Sequence, residues 1–168
     1  MYGVVVWGVD TRALILEGGG VDVDGIRSWV TLATSSMEQG FRPILVCDSA
    51  IAIGLARMKT LQTVRSPVLS LAAMALGQTA IGTLWESMFA QSGQMCAQVL
   101  LNQDDLKIDH RKSGIRATLQ TLLDMGVIPI ISENELSALP PSPLASVDFL
   151  VQAIQQVVGA DRTTVAQG

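Results

Sequence analysis

Short β-branched apolar runs alternate along this chain with stretches of helical periodicity, and that alternation restricts the fold more than any other feature. Tyr2–Trp7 reads as a strand. Asp24 is placed to cap a helix over about Gly25–Gln39, closed by Gly40. Ile44–Cys47 is a second buried strand, entered through Pro43. Ser66-Pro67 opens a long helical tract that runs to Gln91 and stops at Gly93. Met95–Leu101 is a third strand. Ile115, Leu119, Leu122 and Leu123 fall on one stripe of a helix ended by Gly126. Val127–Ile131 is a fourth strand, which Pro129 assigns to a sheet edge or a strand start. Beyond Pro140-Pro141-Ser142-Pro143, a last helix carries Phe149, Leu150, Ala153, Ile154, Val157 and Val158 on one broad face. Strands separated by helices pair in parallel through crossovers, so the expected fold is a layered α/β/α domain with a mainly parallel sheet. Neither an internal repeat nor a second domain is visible, and residues 1–168 read as one domain.

Composition narrows the function classes. The chain is 49% apolar and only 15% charged, with a mean hydropathy of +0.41. That oiliness predicts apolar surface covered by a protein partner or by self-association. Within the long tract, Leu69, Leu71, Ala72, Ala73, Met74, Ala75 and Leu76 are apolar nearly all round, and Leu69, Ala73 and Leu76 are the interface candidates. No uninterrupted apolar run reaches the roughly 18 residues that span a bilayer, so no membrane insertion is expected. The first ten residues, MYGVVVWGVD, lack a basic region ahead of the apolar run and read as a strand, not a signal or transit peptide. A soluble, intracellular protein is expected. Net charge is −4 without a basic cluster, which argues against nucleic-acid binding. Cys47 and Cys96 fall in apolar strand-like runs and read as free thiols. His110 is the sole histidine, too few parts for a zinc site or a His-based triad, and no metal is expected.

An ordered series of short matches runs through the second half. It comprises Gly77-Gln78, Trp85-Glu86, Phe89, Ala97-Gln98-Val99-Leu100-Leu101, Asp104-Asp105-Leu106, Arg116, Thr118-Leu119, Val127-Ile128-Pro129-Ile130-Ile131 and Glu133-Asn134. In order and spacing this series resembles the glutamate 5-kinase branch of the amino acid kinases, including the kinase half of pyrroline-5-carboxylate synthase. The resemblance implies the same layered α/β fold and ATP-dependent phosphoryl transfer to the side-chain carboxylate of glutamate. It also implies association through helices of this half.

The departures from that resemblance fall where the chemistry belongs. Phosphoryl transfer needs cationic donors, backbone N–H groups and usually a metal to disperse charge. The family's first strand ends in Lys-x-Gly-Ser; here the matching residues are Val6-Trp7-Gly8-Val9. The glycine is kept, while the cation and the hydroxyl have become valines. The family's Ser-Ser-Gly-Ala turn is Cys47-Asp48-Ser49-Ala50, with Gly54 kept. Asp48 would oppose an acidic substrate by about 1–4 kcal/mol at roughly 4 Å. The Asn-Glu-Asn-Asp turn is Ser132-Glu133-Asn134-Glu135, and the later Gly-Asp-Asn-Asp is Ala145-Ser146-Val147-Asp148. The match continues through Val158-Gly159-Ala160-Asp161, and the family's nucleotide-binding C-terminal half is expected to have no counterpart.

Other motifs are poorer. Gly77-x4-Gly82-Thr83 has P-loop glycine spacing without the Lys. Asp104, Asp105 and Asp109 read as a solvated loop after a strand, and Gln78 and Trp85 as packing residues. Gly8, Ser49, Asn134 and Asp148 remain as residual substrate-binding candidates, and no residue is assigned a catalytic role. The sequence therefore reads as a catalytically inactive glutamate 5-kinase-like domain serving as a structural or interaction subunit. No cofactor is expected, ATP binding included. An amino-acid-binding regulatory protein, and half of a split glutamate kinase, stay open as alternatives.

Overall fold

A computed structural model of the chain describes residues 2–17, 20–47, 50–58, 66–134, 147–159 and 162–163. Strands β1 (Gly3–Val9), β2 (Phe41–Cys47), β3 (Cys96–Leu101), β4 (Ile128–Glu133) and the two-residue β5 (Arg162–Thr163) form one parallel sheet in the order β3-β4-β2-β1-β5. Helices α1 (Val23–Glu38), α2 (Ile51–Arg57) and α3 (Pro67–Gln91) cover one face. Helices α5 (Asp109–Asp124) and α6 (Val147–Val158) cover the other. Strand alternation divides the core accordingly. Val5, Trp7 and Val9 point toward α1 and α3, while Val6, Ile44 and Val46 meet Leu150, Val151 and Ile154 of α6. The expected α/β/α layering is the observed one.

Local signals explain where elements begin and end. Asp22, not Asp24, caps α1: its side chain accepts from the backbone N–H of Gly25 at 3.0 Å. The helix starts at Val23, earlier than expected, so only Asp22 can reach the third helical N–H. Asp24 lies in the first turn and pairs with Arg27. The long helix runs over Pro67–Gln91, as its Ser-Pro start and glycine stop predict. Gly93 and Gly126 both adopt positive φ, and each chain reversal carries the paired closing bonds of a Schellman turn: Gly93 N–H to Ala90 O with Gln94 N–H to Phe89 O, and Gly126 N–H to Leu123 O with Val127 N–H to Leu122 O.

Of the two places expected for Pro129, the strand start is the observed one, and not a sheet edge. Strand β4 lies between β3 and β2, and Pro129 is its second residue. Ile128 N–H donates to Met95 O on the β3 side, so by alternation the missing Pro129 N–H faces β2. Pairing with β2 begins only at Ile130, so no ladder bond is lost. Two further expectations change. Phe149 is 48% exposed, outside the apolar face of α6, and Val151 takes its place in the core. Asp104 and Asp105 belong to a short helix, α4 (Gln103–Lys107), closed at its start by an Asn102/Asp105 capping box.

Helix α3 is long and apolar enough to cross a bilayer by length and composition, although polar residues interrupt its apolar run. Core helices of α/β domains pass the same test, and here Ile81, Trp85, Met88 and Phe89 are buried in the core beneath the sheet. Toward its start α3 crosses α2 backbone to backbone. A Cβ built on Gly54 would sit 1.7 Å from the Ala73 carbonyl oxygen, and one on Gly77 1.9 Å from that of Ala50. Only glycine fits at either position.

Candidate functional site

In a parallel sheet the C-terminal strand ends converge on one edge, where the loops leave room for ligands. Gly8 and Asn134 stand at that edge. Gly8 is the penultimate residue of β1, Ser49 follows β2, and Asn134 follows β4. Asp148 is the second residue of α6, whose start lies against β1. Ser49, Asp48 and Glu135 lie outside the described residues, as do the Gly18-Gly19 pair and Pro140–Ser146. Strand β2 separates β1 from β4, so Asn134 stands about 9–10 Å along the edge from the Gly8 position. The structure thus places Asn134 two strands from Gly8, and it is Val147 and Val151 of α6, not the exposed Asp148, that meet the Gly8 position.

The end of β1 is closed by apolar packing. A Cβ on Gly8 would meet methyl groups of Val147 and Val151, each at 3.2 Å. The glycine is needed for α6 to approach, and its Cα is covered, not open to a ligand from that face. Val6 is fully buried among Ile44, Val46, Val151 and Ile154, and Val9 is fully buried on the opposite face. An ammonium group at position 6 would have to leave water for an aliphatic environment, at a cost of several kcal/mol. Immediately beyond, Asp10 and Arg12 form a fork, with Arg12 Nε 3.2 Å and Nη2 3.3 Å from the carboxylate and the Arg12 backbone N–H at 2.9 Å. Burial pushes the Asp10 carboxyl up, but the bonds from Arg12 outweigh it and hold the group below the usual range. This pair escaped sequence reading because nothing in the spacing Asp-Thr-Arg distinguishes it from an exposed turn.

The end of β4 is the more polar part. Ser132 and Glu133 are buried. The Asn134 backbone N–H donates to Leu101 O at 2.8 Å, which ties this turn to the end of β3. The Asn134 side-chain oxygen is buried without a hydrogen-bond donor among the described residues. Such an acceptor costs about 1–3 kcal/mol unless something donates to it. Gln78, expected to be packing, instead reaches across from α3: its Nε2 donates to the Glu133 carbonyl at 2.7 Å. Gln98 of β3 donates to the Gln78 side-chain oxygen at 2.8 Å. Between α3 and β3 lies a groove of about 300 Å³, lined by Thr79, Thr83, Glu86, Cys96 and Gln98.

Metal-type donor sets are absent among the described residues. Asp105 is engaged by its capping box and by Arg111 at 3.3 Å. Cys47 and Cys96 are free thiols, as expected, and burial followed by the nearby Glu86 pushes the Cys96 thiol up to about 11. Cys96 therefore stays protonated near neutral pH. Of the interface candidates, Ala73 is corrected: it is fully buried within the chain, its carbonyl lying under Gly54. Leu69 is half-buried, and Leu76 is 47% exposed.

Residues 13–166 match the amino acid kinase family. The chain belongs to that family. Among its relatives are a glutamate 5-kinase of Ectopseudomonas mendocina (strain ymp), 33% identical over 153 residues that make up 91% of this chain and 41% of the relative. A glutamate 5-kinase of Pseudomonas savastanoi pv. phaseolicola is 32% identical over 163 residues, 96% of this chain and 44% of the relative. One from Stutzerimonas stutzeri (strain A1501) is 31% identical over 153 residues, 91% of this chain and 41% of the relative. The chain spans less than half the length of these curated relatives. Within the amino acid kinase family it is glutamate 5-kinase-like, and its parallel α/β architecture agrees with that placement.

Proposed function

We propose that this glutamate 5-kinase-like domain does not itself transfer phosphate and serves as a subunit that associates through α3. The observation that carries the first half is the pair Val6 and Val9, both fully buried, at the positions where the resembled family places a Lys and a Ser. Two aliphatic side chains cannot offset the charge that develops on a transferred phosphoryl group. At the same strand end the Arg12 guanidinium is engaged by the Asp10 carboxylate.

The second half rests on α3. Glu86 is the single charged residue among its 25. Its outward side presents Val68, Ala72, Ala75 and Leu76, and β3, which carries the exposed Leu100, is the edge strand among the described residues. A nearly uncharged face can meet its own copy without the like-charge repulsion that a net charge of −4 imposes elsewhere, so the occupant is a second copy of this chain. Light scattering on the purified protein is expected to give at least a dimer. A stable soluble monomer at micromolar concentration would remove the association claim.

One observation favours a second reading, amino-acid binding. The unpartnered Asn134 oxygen is suited to accept from an N–H of a small ligand at the β4 end. On the preferred account, calorimetric titration with glutamate gives no binding tighter than millimolar. Micromolar binding that is lost in Asn134→Ala would put the regulatory reading first.

A further inference from the structure

We infer that Gln78 is a positioning residue for the Glu133–Asn134 turn, held in its working orientation by the donor that Gln98 supplies from the exposed edge strand. The inference rests on the reading of that turn as part of the candidate site. Gln78 is 7% exposed, so both ends of its amide need partners inside the protein. The backbone carbonyl of Glu133 can only accept, so Gln78 must present its NH2 there, at 2.7 Å. Its oxygen is then turned toward β3 and requires a donor, which Gln98 Nε2 supplies at 2.8 Å. The direction of the chain is fixed by the carbonyl at one end and leaves no alternative assignment.

Gly82 makes the crossing feasible. A Cβ at that position would sit 3.0 Å from the Gln98 side-chain oxygen, so the missing side chain leaves room for the Gln98 amide against α3. Gln98 itself is exposed on the edge strand, while Glu133 is buried and Asn134 follows it directly. A polar group at the surface of β3 is thereby linked, through one buried amide, to the backbone that carries Asn134. Anything that takes the Gln98 NH2 for itself removes the donor that holds Gln78 in its working orientation.

Substitutions at position 98 test direction separately from packing, because the side chain is exposed and charge there remains hydrated. Gln98→Glu offers only acceptors and opposes the Gln78 oxygen; Gln98→Lys offers only donors and preserves the direction. Amide hydrogen exchange, followed by NMR on the ligand-free protein, reads the result at Glu133 and Asn134. Exchange there is expected to quicken on the order of five- to tenfold in Gln98→Glu, the loss of about one hydrogen bond, and to stay within twofold in Gln98→Lys. Amides in α1 and α6 serve as internal references and should not change. Equal exchange in both variants, fast or slow, would overturn the inference. This readout needs no ligand, so its failure is separable from a failure of the candidate site, which the glutamate titration reports.

Discussion

Gly54→Ala and Gly77→Ala are each expected to destabilise the protein by about 3 kcal/mol or more, at the upper end of overpacking costs. Alanine in place of glycine within a helix ordinarily gains up to about 1 kcal/mol, so a loss of this size has to come from tertiary contact. The contact is between backbones. A methyl at Gly54 lies 1.7 Å from Ala73 O, and real Cβ atoms essentially never approach within 3.0 Å. Neither carbonyl can rotate away without breaking its helix, so α2 and α3 must separate along their crossing. Gly114→Ala provides the control, since Gly114 is also helical but has open space where its Cβ would go. Urea unfolding should place Gly114→Ala at or above the wild-type midpoint and the other two far below it.

Aspartate at two neighbouring positions of α3 is expected to give opposite phenotypes. Ala73 is fully buried against α2, whose one cation, Arg57, is exposed at the end of that helix, so a carboxylate at position 73 would lose its hydration. Ala73→Asp should cost several kcal/mol and lower the folded population sharply. Leu76, less than one turn further along, is 47% exposed, and its aspartate remains in water in the isolated chain. Leu76→Asp should therefore keep its helical circular dichroism but lose self-association in light scattering. If Leu76→Asp still assembles as the unmodified chain does, the interface does not lie on this face of α3.

The sequence made the layers legible because each rests on local chemistry. Ser66-Pro67 and Gly93 bound α3 through backbone preferences that need no distant partner, and β-branched runs mark strands wherever they are covered on both faces. What it did not reveal depends on contacts far apart in the chain. The Gln78–Glu133 bond joins residues 55 positions apart, and nothing around Gln78 announces it. The Gly54–Ala73 and Gly77–Ala50 approaches exist only once two helices are laid across each other. Ala73 therefore read as surface on a helix apolar all round, when periodicity could not say which side faced inward. The site was partly legible: the resemblance pointed to the strand ends, but the covering of Gly8 by α6 and the Asp10–Arg12 fork come from contacts that the spacing of residues does not announce.

The central claim is that the β1 strand end of this domain cannot support phosphoryl transfer. Glutamate-dependent ATP turnover by the purified protein tests it most directly, against a protein-free control. The account predicts no turnover above that control. Sustained turnover on the order of 1 s⁻¹, ordinary for an enzyme, would contradict it.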